Sequence, residues 1–267
     1  MTGGTSENAT EAGAFANVLA WSVLLFLLLP ITIIIPISLT DQRFLSLPQH
    51  SISFQHYATF FTSPRWLDST GQSLVIAAVS TVLAVAAGTL CAIGCWKISS
   101  RLSELVRALM LLPIIVPSIV YALGIFRLWI RLGLLDTYLG VILVHAVTGI
   151  PYVVITVSAA LAGFDPRLEQ AARGMGASLA QTLRWVILPR IMPGVLSGAI
   201  FAFVHSWDEA VLILFIASRA LFTLPRRMWD GINENLDPVM AVAACVMIAL
   251  SLLMLGLDLA LRRRRAS

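Results

Sequence analysis

The chain has 267 residues, 58% of them hydrophobic and only 12% charged, with a mean hydropathy of +0.89 and a formal net charge of +4. Soluble domains carry charge on roughly 25% of their residues, so this composition excludes a soluble globular protein. The small positive excess follows the pattern of membrane topology and excludes a nucleic-acid-binding face.

Residues 12–40, 69–96, 108–126, 137–162 and 238–257 carry no charge at all. About 20 apolar residues cover the hydrocarbon thickness, so each run is long enough to cross or nearly so. The predicted fold is an all-α integral membrane protein, residues 1–267 forming one transmembrane domain. Its six spans are predicted at about 15–38, 69–95, 105–130, 138–162, 192–217 and 238–259. The first contains Pro30 and Pro36, and no basic residue precedes it, so a cleaved signal peptide is not expected. An outer segment follows, read as a turn, a short strand or extended piece, and a surface helix, with His50 and His56 as ordinary loop histidines. The second span is rich in small residues ("AAVSTVLAVAAGTL"), which suit close helix packing in lipid. Its Cys91 and Cys95 lie one turn apart and lack a third ligand, so neither a metal site nor a bound cofactor is expected.

The third span contains Pro113 and Pro117, which remove backbone donors and are expected to kink it beside a translocation path. His145, in the fourth, reads as a buried and satisfied ring. Residues 164–190 then form a polar, punctuated segment. Asp165 is placed to cap a helix that begins at Pro166. Gly174 and Gly176 allow a turn. Ser178 and Gln181 make a capping box for a second short helix with Leu179, Leu183, Val186 and Ile187 on one face. Pro189 and Pro193 are expected to stop that helix before the fifth span. Such a helical hairpin suits docking of a soluble partner or rest on the lipid surface. The fifth span is interrupted by Asp208 and Glu209, acids that are costly at membrane depth unless paired or facing water. Either one of them faces a path, or the span ends near Trp207 and they cap a short following helix.

With both termini on the cytoplasmic side, the inner loops hold Lys97, Arg101, Arg107, Arg167, Arg173, Arg184 and Arg190, and the tail adds Arg262 to Arg265. That is eleven of the chain's 18 Lys and Arg, the bias expected of a cytoplasmic side. A phosphate-binding Gly-Lys-Ser/Thr loop is missing, since the only lysine, Lys97, follows Trp96. The chain is therefore not expected to hydrolyse ATP or to act as an enzyme.

"EQAARGMGASLAQTLRWVILPRIMPG" resembles the signature loop of the permease subunits of type I ATP-binding-cassette importers, a resemblance that covers about residues 69–257. Ala171, Ala172, Gly176, Leu188 and Pro189 match its fixed positions. Gln170, preceded by Glu169, stands where that loop has glutamate, and Leu183 where it often has phenylalanine. "FVHSWDEAVLILFIA" and "TLPRRMWDGINENLDPVMA" are similar to the polyamine (spermidine/putrescine) branch through Ser206, Trp207, Asp208 and Glu209, and through Leu224, Pro225, Met228 and Trp229. The resemblance implies a multi-pass subunit of the bacterial inner membrane that works with two cytoplasmic ATPase subunits. It further implies a second, different permease subunit and an extracytoplasmic substrate-binding protein. Glu169, Gln170, Ala171, Ala172, Gly176, Leu183, Leu188 and Pro189 would couple to the ATPase, with Leu183 as the apolar plug. Asp208, Glu209, Pro113 and Pro117 would line the path. The expected substrate is a polyamine or related organic cation, the alternative being another small solute such as an opine or amino-acid derivative. A gradient-driven secondary transporter is the remote alternative: no internal repeat supports it, and it leaves the hairpin without a role. An intramembrane enzyme would need a Ser–His or acid pair, and His205 and Ser206, being adjacent, do not face each other on a helix. An anchor or sensor would need a soluble output domain.

Overall fold

The computed structural model describes residues 5–217, 219–234 and 236–266, with side chains from Ala16 to Leu261 inside those ranges. In chain order the helices are α1 (Thr5–Ser38), α2 (Gln55–Thr62), α3 (Pro64–Ile98), α4 (Arg101–Ile115), α5 (Ser118–Leu132), α6 (Tyr138–Ala162) and α7 (Pro166–Gly174). They are followed by α8 (Leu179–Thr182), a wide π-turn (Leu183–Ile187), α9 (Leu188–Asp208), α10 (Val211–Ile216), α11 (Leu224–Glu234) and α12 (Val239–Ala266). Among the described residues, five helical runs are long and apolar enough to span: Ala16–Ser38, Pro64–Ile98, Tyr138–Ala162, Leu179–Asp208 and Val239–Leu261. A sixth crossing exists if the bent pair α4–α5 counts as one span. The chain is an all-α multi-pass membrane protein. The arginines Arg262 to Arg265, used above for topology, lie outside the described side chains.

The chain divides into two compact units. The first comprises Met1–Thr62 and Glu234–Val246. In it the apolar side chains of α1 from Val18 to Leu29 are exposed, as a lipid-facing helix requires. The outer segment contains no strand. A carboxylate hub at Asp41 orders it instead, accepting from Gln49 N at 3.0 Å and lying 3.1 Å from His50 Nδ1. The Gln49 N–H holds the Asp41 carboxyl below its usual range. His56 is buried and meets the Gln42 carbonyl at 3.0 Å, so it is an anchoring residue of the segment.

The second unit comprises Ser63–Asn233 and Met247–Ser267. Its centre is the α3–α6–α9 bundle, where glycines bring backbones together. A Cβ on Gly88 would lie 2.8 Å from Val153 Cβ, and one on Gly198 would lie 2.5 Å from Thr156 Oγ1 and 2.9 Å from Val153 Cα. One buried cluster (Ala84, Ala92, Ile93, Val157, Leu161, Ile187, Ile191) fills the bundle towards the hairpin. A second (Ile76, Trp129, Val141, Val144, Leu212, Ile213, Ile216) fills the other end. There Asp136, at φ 58°, accepts from the backbone N–H groups of Arg219 and Ala220 at 3.1 and 2.9 Å. Helix α11 is fastened to the start of α3: Ser73 Oγ accepts from Leu224 N at 2.8 Å, and Arg227 Nε donates to Ser69 Oγ at 2.5 Å.

Three expectations about helix ends are corrected. The third span does more than kink, for α4 and α5 meet at 106°. The break falls at Val116–Pro117, where Val116 is extended as a residue before proline must be, whereas Pro113 sits inside α4 without breaking it. Pro189 and Pro193 do not stop the second hairpin helix. The Leu188 N–H reaches back to the Leu183 carbonyl in a π-turn just before Pro189, and the run continues from Leu179 to Asp208. The fifth span, expected over 192–217, ends at Asp208. Glu209 turns extended, and α10 is a separate, buried helix.

Candidate functional site

The hairpin is built by local signals. The Asp165 side chain accepts from Arg167 N at 2.9 Å, with Pro166 in the first turn of α7. Helix α7 closes through a Schellman pair: Gly176 N donates to the Arg173 carbonyl at 3.0 Å, and Ala177 N to the Ala172 carbonyl at 3.1 Å. Gly176 stands at φ +91°, in open space, so it is needed for its backbone angle and not for room. Ser178 and Gln181 then form the expected capping box, with bonds of 3.2 and 2.7 Å.

The residues predicted to couple to the ATPase do not share one face. Gln170, Ala171, Gly176 and Pro189 are exposed, Leu188 is half-buried, and Ala172 is buried. Leu183, Val186 and Leu188 are partly buried and pack against the bundle core. The exposed large apolar side chains of the hairpin are Met175 (83% exposed), Trp185, Leu179 and Leu168. Glu169 is also turned inward. Its Oε1 lies 2.5 Å from Lys97 Nζ at the end of α3.

The acid pair separates into two roles. Glu209 Oε1 accepts from Leu212 N at 3.1 Å, capping α10, and its Oε2 accepts from Ser118 Oγ at 3.3 Å. It thereby links the α9–α10 break to the α4–α5 break beside Pro117, while Pro113 lies nearly a turn before that break. This is the capping arrangement set out as the second possibility above. Asp208, the last residue of α9, is exposed, and among the described residues it has no hydrogen-bond or ion-pair partner. Tyr152 and His205 flank this region, with ring centroids 5.0 Å apart.

Two polar links were missed in the sequence. Ser206 Oγ lies 2.8 Å from His145 Nδ1 and accepts from Ser80 Oγ at 3.1 Å, tying α9, α6 and α3 together. His145 is only 1% exposed, so this Ser–His pair is closed to water and substrate. Its Nε2 has no hydrogen-bond partner among the described residues. Ser197 Oγ donates to the buried Asp258 Oδ1 at 2.6 Å. No group of three or more His, Cys, Asp or Glu among the described residues could hold a metal ion.

Residues 84–267 match the family of binding-protein-dependent transport system inner membrane components. The spermidine/putrescine transport system permease protein PotC of Haemophilus influenzae is 29% identical over 248 residues, covering 93% of this chain and 96% of that protein. The trehalose transport system permease protein SugB of Mycobacterium tuberculosis is 28% identical over 197 residues, covering 73% of this chain and 72% of that protein. A bacterial ABC transporter that imports the acidic polysaccharide alginate contains a chain of the same fold. Its TM-score is 0.73 at 15% identity, over 97% of this chain and 98% of that one.

Proposed function

The chain belongs to the binding-protein-dependent transport system inner membrane components, and from that premise we propose that it forms the translocation path for a polyamine or related organic cation. As the permease subunit of an ATP-driven importer it is a transport component and not an enzyme. Its proposed partners are two cytoplasmic ATPase subunits, a second permease of different sequence and an extracytoplasmic binding protein. In the proposed topology both termini and the 164–190 hairpin are cytoplasmic.

The observation that carries the cation reading is Asp208. Its neighbour Glu209 is occupied with capping and bridging, whereas Asp208 presents a carboxylate with no structural duty at a break between helices. A charge in that position is expensive unless it meets water or a cation, and a confined polar path raises the local concentration of cations. The similarity to PotC favours the same ligand class, and the similarity to SugB makes a neutral sugar the competing outcome. Uptake of labelled spermidine in cells carrying the whole importer is expected to fall about tenfold or more in Asp208→Asn, with the complex still assembled. Glu209→Gln is expected to lose less, because its amide oxygen still caps α10. Unchanged spermidine uptake in Asp208→Asn, or uptake of trehalose alone by the unaltered chain, would remove the cation reading.

For the ATPase contact, Met175 replaces Leu183 as the proposed apolar plug. Met175→Asp is expected to release the ATPase on pull-down, since buried apolar hot spots at interfaces contribute about 2 kcal/mol or more. Leu183→Asp is expected instead to lower the yield of folded permease. A pull-down in which Met175→Asp retains the ATPase at wild-type levels would move the docking surface elsewhere.

A further inference from the structure

We propose that Lys97 and Glu169 form a latch that passes motion of the hairpin to α3, which makes Lys97 a positioning residue of the transport cycle. The latch presupposes the coupling role of the hairpin proposed above. Lys97 is the chain's only lysine, and it lies in the last turn of α3. A cation there is favoured by the carbonyl end of the helix as well as by its partner. Its Nζ meets Glu169 Oε1 at 2.5 Å, with side chains only 24% and 16% exposed. A second fastening lies beside it: the Trp96 ring, next to Lys97, meets Phe164 edge-on at 5.6 Å, just before α7.

Helix α7 also packs against α8 and the π-turn, the other limb of the hairpin. Of its nine residues only Ala172 is buried, and among the described residues Lys97–Glu169 is the ion pair it makes. An exposed helix joined to α3 by one charge pair and one ring contact cannot be displaced without either moving α3 or breaking those contacts. Helix α3 is in turn locked to α6 by the Gly88–Val153 approach, and to α6 and α9 by the Ser80–Ser206–His145 link. A push on α7 therefore has a continuous route to the helix that ends at Asp208. Glu169, the only acid within α7, faces inward along this route. The ATPase then meets the polar, uncharged Gln170 and the apolar Met175.

The native thiol of Cys91 offers a reporter that needs no substrate. It lies six residues before Lys97 on α3 and lines an apolar cavity of about 360 Å³ with Leu102, Val106 and Met110 of α4. With Cys95 and Cys245 changed to serine, the assembled importer is labelled with N-ethylmaleimide, with and without ATP plus vanadate. The labelling rate of Cys91 is expected to change about threefold or more on nucleotide trapping in the paired chain. Lys97→Glu or Glu169→Lys should each abolish that change and reduce uptake about tenfold, while the ATPase still co-purifies. The charge-swapped double variant and Lys97→Arg should restore both. A response retained in either reversal, or a double variant as defective as the singles, overturns the latch. Release of the ATPase by Glu169→Lys also overturns it, because Glu169 would then be a docking contact. If the unaltered chain fails to retain the ATPase at all, the coupling role itself fails, which is a separate result.

Discussion

Replacing Gly198 with valine is expected to leave little folded permease in the membrane. A Cβ at this position would lie 2.5 Å from Thr156 Oγ1 and 2.9 Å from Val153 Cα. The second of these is a backbone atom, so no side-chain rotation relieves it; α6 and α9 must separate. Val153 is held from its other side as well, since it lies against Gly88 of α3. Separation therefore opens all three helices of the bundle. Overpacking alone costs about 1–3 kcal/mol, and valine adds methyl groups beyond the Cβ. Against a total stability of about 5–15 kcal/mol, this is a large fraction. The measurement is the monodisperse yield after detergent extraction, expected to drop about tenfold. Gly124→Val is the control, because a Cβ there meets nothing within 4 Å and its yield should hold. Normal yield and uptake in Gly198→Val would refute the close α6–α9 crossing.

Gly176→Val is expected to have the opposite profile, with normal yield and lost transport. At φ +91° a β-branched residue is strained by about 1–3 kcal/mol wherever the chain has room, and here it has room in every direction. The strain can be relieved only by giving up the two Schellman bonds to Arg173 and Ala172, which frees α7 to leave its angle to α8. The spanning helices feel none of this. Uptake should therefore fall about tenfold while extraction yield and trypsin resistance match the unaltered chain. Gly176→Ala, strained but not branched, should fall between them. Full uptake in Gly176→Val would mean that the hairpin angle does not matter to transport.

Features written in consecutive residues were legible. Asp165 with Pro166, the Ser178–Gln181 box and the Gly176 turn each depend on neighbours within three or four positions, and each is present. The apolar runs were legible for the same reason. What depended on contacts between distant segments was not. Leu183 was read as a plug from its place on an apolar stripe, but the stripe does not share one environment: Leu183 packs beside Ile187 against the bundle, whereas Leu179 is exposed. The resemblance placed Glu169 at the ATPase contact, and its ion pair with Lys97, 72 residues away, could not be read from neighbouring residues. The argument that His205 and Ser206 cannot face each other was sound, but the true partner of Ser206 is His145, on another helix. Asp258 offered a signal that was passed over: a lone acid near the end of an apolar run, which must find a partner and finds Ser197.

The π-turn before Pro189 decides what kind of machine part the fifth span can be. Had the chain broken there, the hairpin would swing on a loose joint and the span would stay still. Instead, one rod runs from Leu179 to Asp208 and crosses α6 at Gly198, where the backbones touch and sliding is hardest. At 1.5 Å per residue, the crossing divides the rod into arms of roughly 28 Å towards Leu179 and roughly 15 Å towards Asp208. If the hairpin has the coupling role proposed above, such a rod would act as a lever with its pivot in the bundle. A swing of about 4 Å at the hairpin end would then become about 2 Å, in the opposite direction, at the carboxylate. A displacement of that size is large enough to change what Asp208 faces and small enough to leave the helices packed.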